Sequence, residues 1–501
     1  MQCNKLANAS SPGFLGLSVL VLLVSCSTAE RDTEESADDR QWLAGDHHIH
    51  GRYSVGWDLT KSPPAPKFGG DAIYTTLTNA EMAKHHGLAW MVTTDHGGPN
   101  HSKINAEHAY PELIQSREAV KEVIQFYGLE LNTPAGEHTS LIIPHSSDEV
   151  DVLRMLESEF DMREVFPYDP SRDTEGKMID ALKVMSKLEK PPVVIVNHPA
   201  RTARGYAEYG LFDPAELRRW NDTAPDIAVG MAGAPGHQAI ALSNAPLIVD
   251  RMRLRGGYRG YPTMGGFDQM TAKLGGFWDS MLGEGRRWWI TANSDSHRHY
   301  TEGGLDFWPG EYSKTYVYSQ KSHEAILSGL RAGHVFVTTG DLVDALFVEV
   351  SVEGQNPQPS VSIGDEIDVG MAKEVLVAIR FRDPETENAN GDNPTVRRVD
   401  LIMGGVNGKL ADYSVSRNDS AKVVQRFTKK DWRKEGAYLT ITHRISLDSM
   451  DYLHAAYIRV RGTNTKELEP AEDPPAENPW EDLWFYSNPV FVRSQGSSAI
   501  D

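Results

Sequence analysis

Five consecutive residues near the start of the chain carry the densest chemistry: Asp46-His47-His48-Ile49-His50. Side chains alternate along a strand, so His48 and His50 project to one side and can chelate one divalent cation. Three later stretches have the same character: Thr94-Asp95-His96-Gly97, Asn197-His198-Pro199 and Ser294-Asp295-Ser296-His297. Each follows an apolar run that reads as a strand. Glu130, after Gly128-Leu129, and His138 lie between them. His48, His50, His96, Glu130, His138, His198, Asp295 and His297 together form a nitrogen and carboxylate ligand set without thiolates, which suits Zn, Mn or Fe. Eight ligands exceed the needs of one ion. They suit two or three divalent ions that share a bridging carboxylate, with Glu130 as the bridge.

A single histidine after a strand is more often a hydrogen-bonded loop residue than a ligand. On that ground His101, His108, His145, His237 and His334 are set aside. The weight rests on four motifs together, all at strand exits. His47, Asp95 and Arg201 are the catalytic candidates: His47 as a substrate contact or proton donor, Asp95 (with Asp46) as an orienter of imidazoles. Arg201 and Arg204 follow His198-Pro199 and could fork an anionic group bidentately. Arg298 and His299 stand in the same relation to the last motif.

The elements that must position these residues are short strands alternating with helices. Gln41–His50, Leu88–Thr94, Pro192–Val196 and Arg287–Ala292 read as strands running into the four motifs. Helical spacing predicts helices over Asn79–Gly87, Pro111–Tyr127, Thr174–Leu188, Phe267–Leu282 and Ser322–Ala332. This alternation predicts a parallel α/β architecture with the strand ends gathered at one mouth. Residues 199–264, rich in Gly and Arg, read as an insertion over that mouth. Beyond 341 the runs become short and alternating, predicting a smaller antiparallel β-sandwich over 341–495.

Phe14–Val24 is an apolar run too short to span a bilayer, and it reads as an export signal over 1–25. Leu23-Val24-Ser25-Cys26 is similar to a bacterial lipobox, with Cys26 as the lipidated residue. Residues 26–40 then read as a disordered tether. The other cysteine, Cys3, lies inside the signal, so neither a disulfide nor a thiolate metal site is expected. The expectation is an exported lipoprotein held at the cell envelope, touching the membrane only through its lipid. The net charge of −20 argues against a nucleic-acid groove, but not against a small anionic ester met by bound cations.

The motif set resembles the PHP (polymerase and histidinol phosphatase) family over about residues 42–340. Its opening D-x-H-x-H-T is matched by Asp46, His48 and His50, with Gly51 in place of Thr. Thr94-Asp95-His96, Gly128-Leu129-Glu130 with His138, His198-Pro199 and Ser294-Asp295-Ser296-His297 match the later motifs. The segment AILSGLRAGHVFVTTG resembles a branch that includes carbaryl-hydrolase-type enzymes, whose members carry signals and C-terminal β domains. The resemblance implies a metal-dependent hydrolase on a distorted (β/α)7 TIM-like barrel. Many members have a further ligand soon after HxH. Here only Asp58 offers itself, at a different spacing, which leaves two or three ions open.

The expected chemistry is hydrolysis of a phosphomono- or phosphodiester by a metal-bridging hydroxide. Hydrolysis of a carboxylic ester, carbamate or amide at the same site is the alternative, supported by the branch resemblance and by Trp57, Trp90, Trp288, Trp289 and Trp308. A non-catalytic surface binding lipoprotein is a second alternative. The expected partner is a small-molecule anionic ester.

Overall fold

The four-residue apolar strand Val193–Val196 is buried along its whole length. Such a strand needs neighbours on both edges and cover on both faces. A mixed sheet provides them. The structure, a computed structural model, describes residues 39–242, 258, 261–352, 359–447, 455–474 and 477–494. The proposed signal 1–25, Cys26 and all but the end of the tether lie outside the described residues, as do 243–257 and 259–260 of the stretch 199–264.

The α/β part consists of β1 (Gln41–Ile49), β2 (Trp90–Thr93), β3 (Ile124–Asn132), β4 (His138–Ile143), β5 (Val193–Val196), β6 (Ala228–Ala234) and β7 (Trp289–Ala292). They pair in that order. Helices α1 (Thr76–His85), α2 (Tyr110–Ala119), α3 (Glu149–Phe160), α4 (Glu175–Met185), α5 (Pro214–Thr223) and α6 (Phe277–Gly283) come between them. The pairs β1/β2, β2/β3, β5/β6 and β6/β7 are parallel. β4 corrects the all-parallel expectation, because it runs antiparallel to both β3 and β5. Residues 133–137 are too few for a crossover, so β3 and β4 form a hairpin. One consequence matters for the site. The first residue of β4, His138, lies opposite Asn132, the last of β3.

Two predicted helices change extent. Pro111–Tyr127 ends early, because Ile124–Tyr127 pairs with β2 as strand. Phe267–Leu282 splits into Gln269–Ala272 and α6, with Gly275 at φ +71° between them. The last helix, α7 (His323–Ala332), is as read: Ser322 caps it by accepting from Ala325 N, and Gly333 ends it at φ +72°.

Beyond β7, β8 (Ser313–Ser319) returns to pair antiparallel with β1, and β9 (Val335–Thr339) pairs with β8. β7 meets β8 through side chains: Ser313 Oγ donates to Asn293 O at 2.7 Å and Ala292 N donates to Thr315 Oγ1 at 2.8 Å. The β7 edge of the sheet thus returns toward β1 and β8, and His50 N donates to Ser296 O at 3.0 Å between the exits of β1 and β7.

The C-terminal strands of four residues or more are β10 (Ala345–Ser351), β11 (Glu366–Gly370), β12 (Glu374–Arg382), β13 (Arg398–Gly405), β14 (Lys422–Thr428), β15 (Tyr438–Ser446), β16 (Ala455–Thr463), β17 (Trp484–Ser487) and β18 (Val490–Ser494). β9 pairs with β17, so the large sheet continues through β17, β16, β18 and β11. A further antiparallel sheet carries β10, β12 and β15. Val348, Ile379 and Ile441 of this sheet share one apolar cluster with Leu401 and Val460 of the large sheet.

Candidate metal centre

Parallel strands gather their C-terminal ends, and the reversed β4 brings its N-terminal end to the same place. The eight predicted ligands meet there. Glu130 Oε1 lies 2.9 Å from His48 Nε2, 3.0 Å from His138 Nδ1 and 3.3 Å from His198 Nε2. Asp295 Oδ1 lies 3.1 Å from both His48 Nε2 and His50 Nε2. The two Nε2 atoms of His48 and His50 are 2.9 Å apart. The rings of His50 and His297 stack with centroids 3.9 Å apart, and His96 Nε2 faces Glu130 Oε2 at 3.9 Å.

Overlapping groups of donors result: His48, His50, Glu130 and Asp295; Glu130, His138 and His198; His50, His96 and His297; and His237, Asp295 and His297. Glu130 and Asp295 each belong to two groups, as shared carboxylates would. His138 Nδ1 is buried and faces Glu130 without meeting hydrogen-bond geometry. Buried polar atoms are otherwise paired as a rule, so donors converging in this way fit divalent cations bound by nitrogen and oxygen.

The opposite nitrogens of these rings are held in place. Ser54 Oγ donates to Asp95 Oδ1 at 2.9 Å and therefore accepts from His50 Nδ1 at 2.9 Å, leaving the His50 Nε2 lone pair toward the centre. His198 Nδ1 meets Glu137 Oε2 at 3.2 Å, and Arg201 Nε donates to Glu137 Oε1 at 2.8 Å. His297 Nδ1 donates to Asp295 O at 2.9 Å. Such partners fix tautomer and ring orientation. His198, His237 and Asp295 adopt φ of +29°, +58° and +49°. A non-glycine residue holds that conformation only where its surroundings impose it, and such residues cluster at functional sites.

Electrostatics follow the packing. Burial alone would raise the Glu130 carboxyl, but His138 and His48 outweigh it and hold it well below the usual range. Burial, with His297 alongside, pushes His50 well below an ordinary histidine. Burial opposes charge on His237, yet Asp306 and Asp295 outweigh it and raise that ring well above the ordinary value.

Several expectations about individual residues need correction. His47 is fully buried beside the centre. The register of β1 with β2 slips between Asp46 and Ile49, and the ring is held by Ser140 Oγ at 3.1 Å and Thr291 Oγ1 at 2.8 Å. Burial, then the neighbouring His48, pushes it down to about 3. Asp46 orients no imidazole. It accepts from His48 N and Ser294 N, both at 3.0 Å, tying two strand exits together. Asp95 accepts from Gly51 N at 2.5 Å and from Ser54, so it acts on His50 only through that serine. A Cβ at Gly51 would lie 3.3 Å from both Asp95 oxygens, which suits glycine where the resemblance offers Thr. His299 is buried between Thr301 Oγ1 and Glu311 Oε2 and stacks on Trp308, so both of its ring nitrogens have protein partners. Arg201 is turned onto Glu137. Arg204 and Arg298 are exposed beside their motifs. Asp58 binds Thr60 instead of the centre.

Three participants escaped the sequence reading. His237 Nε2 reaches Asp295 Oδ2 at 2.6 Å, while its Nδ1 contacts Asp306. A Cβ on the preceding Gly236 would lie 2.0 Å from Ser294 O, so glycine permits that approach. Asp71 Oδ2 reaches His96 Nε2 at 3.0 Å from the rim. Glu137 is the third. Only its place next to His138 signalled it.

No protein-family model matches the chain, and no curated protein sequence matches it. A search of solved structures finds similarity to the lesion-specific endonuclease PfuEndoQ from Pyrococcus furiosus, at 12% identity and a TM-score of 0.27. The match covers 57% of this chain and 56% of that one, so this chain spans about half the length of that relative. The name endonuclease stands against the expectation of a small-molecule ester partner without a nucleic-acid groove, and that expectation is withdrawn. The net charge of −20 belongs to the whole surface. It does not describe a site whose positive charge would come from bound ions. At this TM-score the likeness carries no further weight.

Proposed function

We propose that the chain is a metal-dependent phosphoester hydrolase of the PHP type, on a distorted (β/α)7 barrel. One observation carries this reading: a single carboxylate oxygen, Glu130 Oε1, meets imidazole nitrogens from three strand ends within 3.3 Å. Zn, Mn or Fe ions, two or three in number, would be held by His48, His50, Glu130 and Asp295, by His138 and His198, and by His96, His237 and His297. When bound there, they supply Lewis acidity toward a phosphoryl oxygen and make water acidic enough to attack at neutral pH.

The chain's own part is orientation. Ser54 and Asp95 hold His50, Glu137 and Arg201 hold His198, and the strained backbones of His198, His237 and Asp295 aim their side chains inward. Arg201 adds fixed positive charge on the His198 side, where a phosphate oxygen can use it. The test is turnover of bis(p-nitrophenyl) phosphate against p-nitrophenyl acetate by the ion-loaded protein, with elemental analysis alongside. Chelator-sensitive hydrolysis of the phosphodiester is expected, with more than one ion per chain. Hydrolysis of the acetate alone would move the reading to carboxylic esters, and hydrolysis of neither with ions bound would sink it.

The Leu-Val-Ser-Cys stretch supports a lipid anchor on Cys26 and an envelope location. Cys26→Ser should move the protein from the membrane fraction to the soluble one.

A further inference from the structure

Beside the centre lies a cleft of about 350 Å³. His96 forms part of its wall, so the cleft adjoins one of the metal-binding groups. The rest is largely apolar: Trp57, Leu59, Phe166 and Tyr168, with Arg163 at the edge. Leu59, Phe166 and Tyr168 are 79%, 50% and 53% exposed. They are three of the nine exposed large hydrophobic residues among those described. Exposed apolar side chains scattered singly need no explanation, but a cluster around one opening does.

The cleft is built in register with the centre. Val55 N donates to His96 O at 3.2 Å, tying the Trp57 segment to the ligand loop. Gly56–Asp58 then pairs with Ala65–Lys67 as a two-stranded ribbon. A Cβ at Gly98 would come within 3.0 Å of Trp57 Nε1, so the indole lies against the bare backbone of that loop. Tyr168, also in the lining, donates to Asp173 Oδ2 at 2.6 Å, which fixes its ring. A planar group in a cleft lined by these rings would gain aromatic contact. Arg163 would favour an anionic ester entering past it.

We propose that this cleft is the specificity subsite of the hydrolase, taking a planar aromatic group esterified to the phosphate bound at the centre. The proposal rests on the phosphoesterase reading above and names the substrate class of that site. A phenyl ring and a nucleobase share the required chemistry, and the test separates them.

The measurement is calorimetric binding of phenylphosphonate, methylphosphonate and thymidine 5′-monophosphate to the full-length, Zn-loaded protein. It needs no turnover. Wild type should bind phenylphosphonate or the thymidine nucleotide at least ~10-fold more tightly than methylphosphonate, the size that stacking one ring commonly gives. Trp57→Ala and Phe166→Ala should each remove most of that preference and leave methylphosphonate binding unchanged. Leu468→Ala, at an exposed apolar residue outside the cleft, should change nothing. Phe166 is half exposed, so its variant does not depend on the core for folding. Preference for one aromatic ligand over the other would identify the source of the ring. Equal affinities for all three ligands, no binding of any, or a preference that survives both variants would overturn the proposal. Failure to hydrolyse the chromogenic ester with this preference intact would count against the hydrolase reading alone.

Discussion

At the mouth of the α/β part, Glu130 and Asp295 face imidazoles. Behind the C-terminal strands, Asp279 and Asp400 face guanidiniums. Both settings bury charge fully, but their accounting of lone pairs differs. Asp279 takes Arg459 bidentately, at 3.0 and 2.8 Å, and accepts from Tyr457 Oη at 2.8 Å. Asp400 takes Arg398 at 2.7 Å on one oxygen and Arg461 at 3.1 Å on the other. Every carboxylate oxygen there meets a group that donates and cannot accept. At the mouth, Glu130 and Asp295 instead meet rings such as His50, whose Nδ1 proton goes to Ser54 and whose facing Nε2 is therefore an acceptor too. Burial of charge therefore does not mark the site. A surplus of acceptors turned toward one another does, and a cation is what resolves it.

The largest effect that tests this contrast is removal of the shared acceptor. Glu130→Gln should deplete bound metal across the centre and lower turnover well beyond the ~10²-fold that losing a mere supporting partner costs. Elemental analysis reads it. Wild-type metal content in that variant would break the comparison. Asp279→Ala should do the reverse. It leaves Arg459 buried without its partner and should cost about 3–5 kcal/mol in urea unfolding. Metal per folded chain should stay at the wild-type value.

The ligands legible in the sequence were those a strand delivers by its own periodicity. His48 and His50 come from alternation along β1, while His96, His198 and His297 follow directly from strands too apolar to be anything but buried. Glu130 and His138 were legible as residue types, but their proximity depends on the β3–β4 hairpin, which the parallel reading did not contain. His237 and Asp71 were illegible for a physical reason. Their positions are set by Gly236 passing under Ser294 and by a loop beside the small ribbon, neither of which leaves a periodic trace. His47 misled for a different reason: its place among the ligands suggested a substrate contact or proton donor, but its ring is buried against Ser140 and Thr291. The joining of β9 to β17 was out of reach as well, since strands so distant in sequence carry no local signal of their pairing.

A smaller effect should come from the groups that hold the rings. Glu137→Gln keeps the shape of the side chain but weakens its grip on both His198 Nδ1 and Arg201. Metal affinity should fall ~10–100-fold, read by competition with a chelator dye, while the fold stays intact. Ser54→Ala should act likewise on His50. If either variant binds metal as wild type does, the rings are oriented by packing alone.

The smallest expected effect lies just behind the His96 loop, in a cluster of the third kind, where acids outnumber their partners. Glu164 accepts from Ser102 Oγ at 2.5 Å and Ser102 N at 3.2 Å. Burial, then the charge of Glu157, raises it to about 7. Its folded value exceeds its unfolded value, so the native chain holds the extra proton and gains stability from it at low pH. That gain is complete below the ordinary glutamate value of 4.5 and is lost as pH rises through 7. His101, held by Glu157, is raised to about 9 against the opposing effect of burial, so its loss falls later, between 6.5 and 9. The two windows can be separated. Urea unfolding at pH 5 and pH 7 should show wild type losing on the order of 1–3 kcal/mol more than Glu164→Gln over that interval. Above pH 7 the two should decline in parallel, because His101 is common to both. A parallel decline already between pH 5 and pH 7 would mean that Glu164 is ionised throughout. In that case this cluster resembles the paired carboxylates of the C-terminal strands, and the surplus of acceptors is confined to the centre itself.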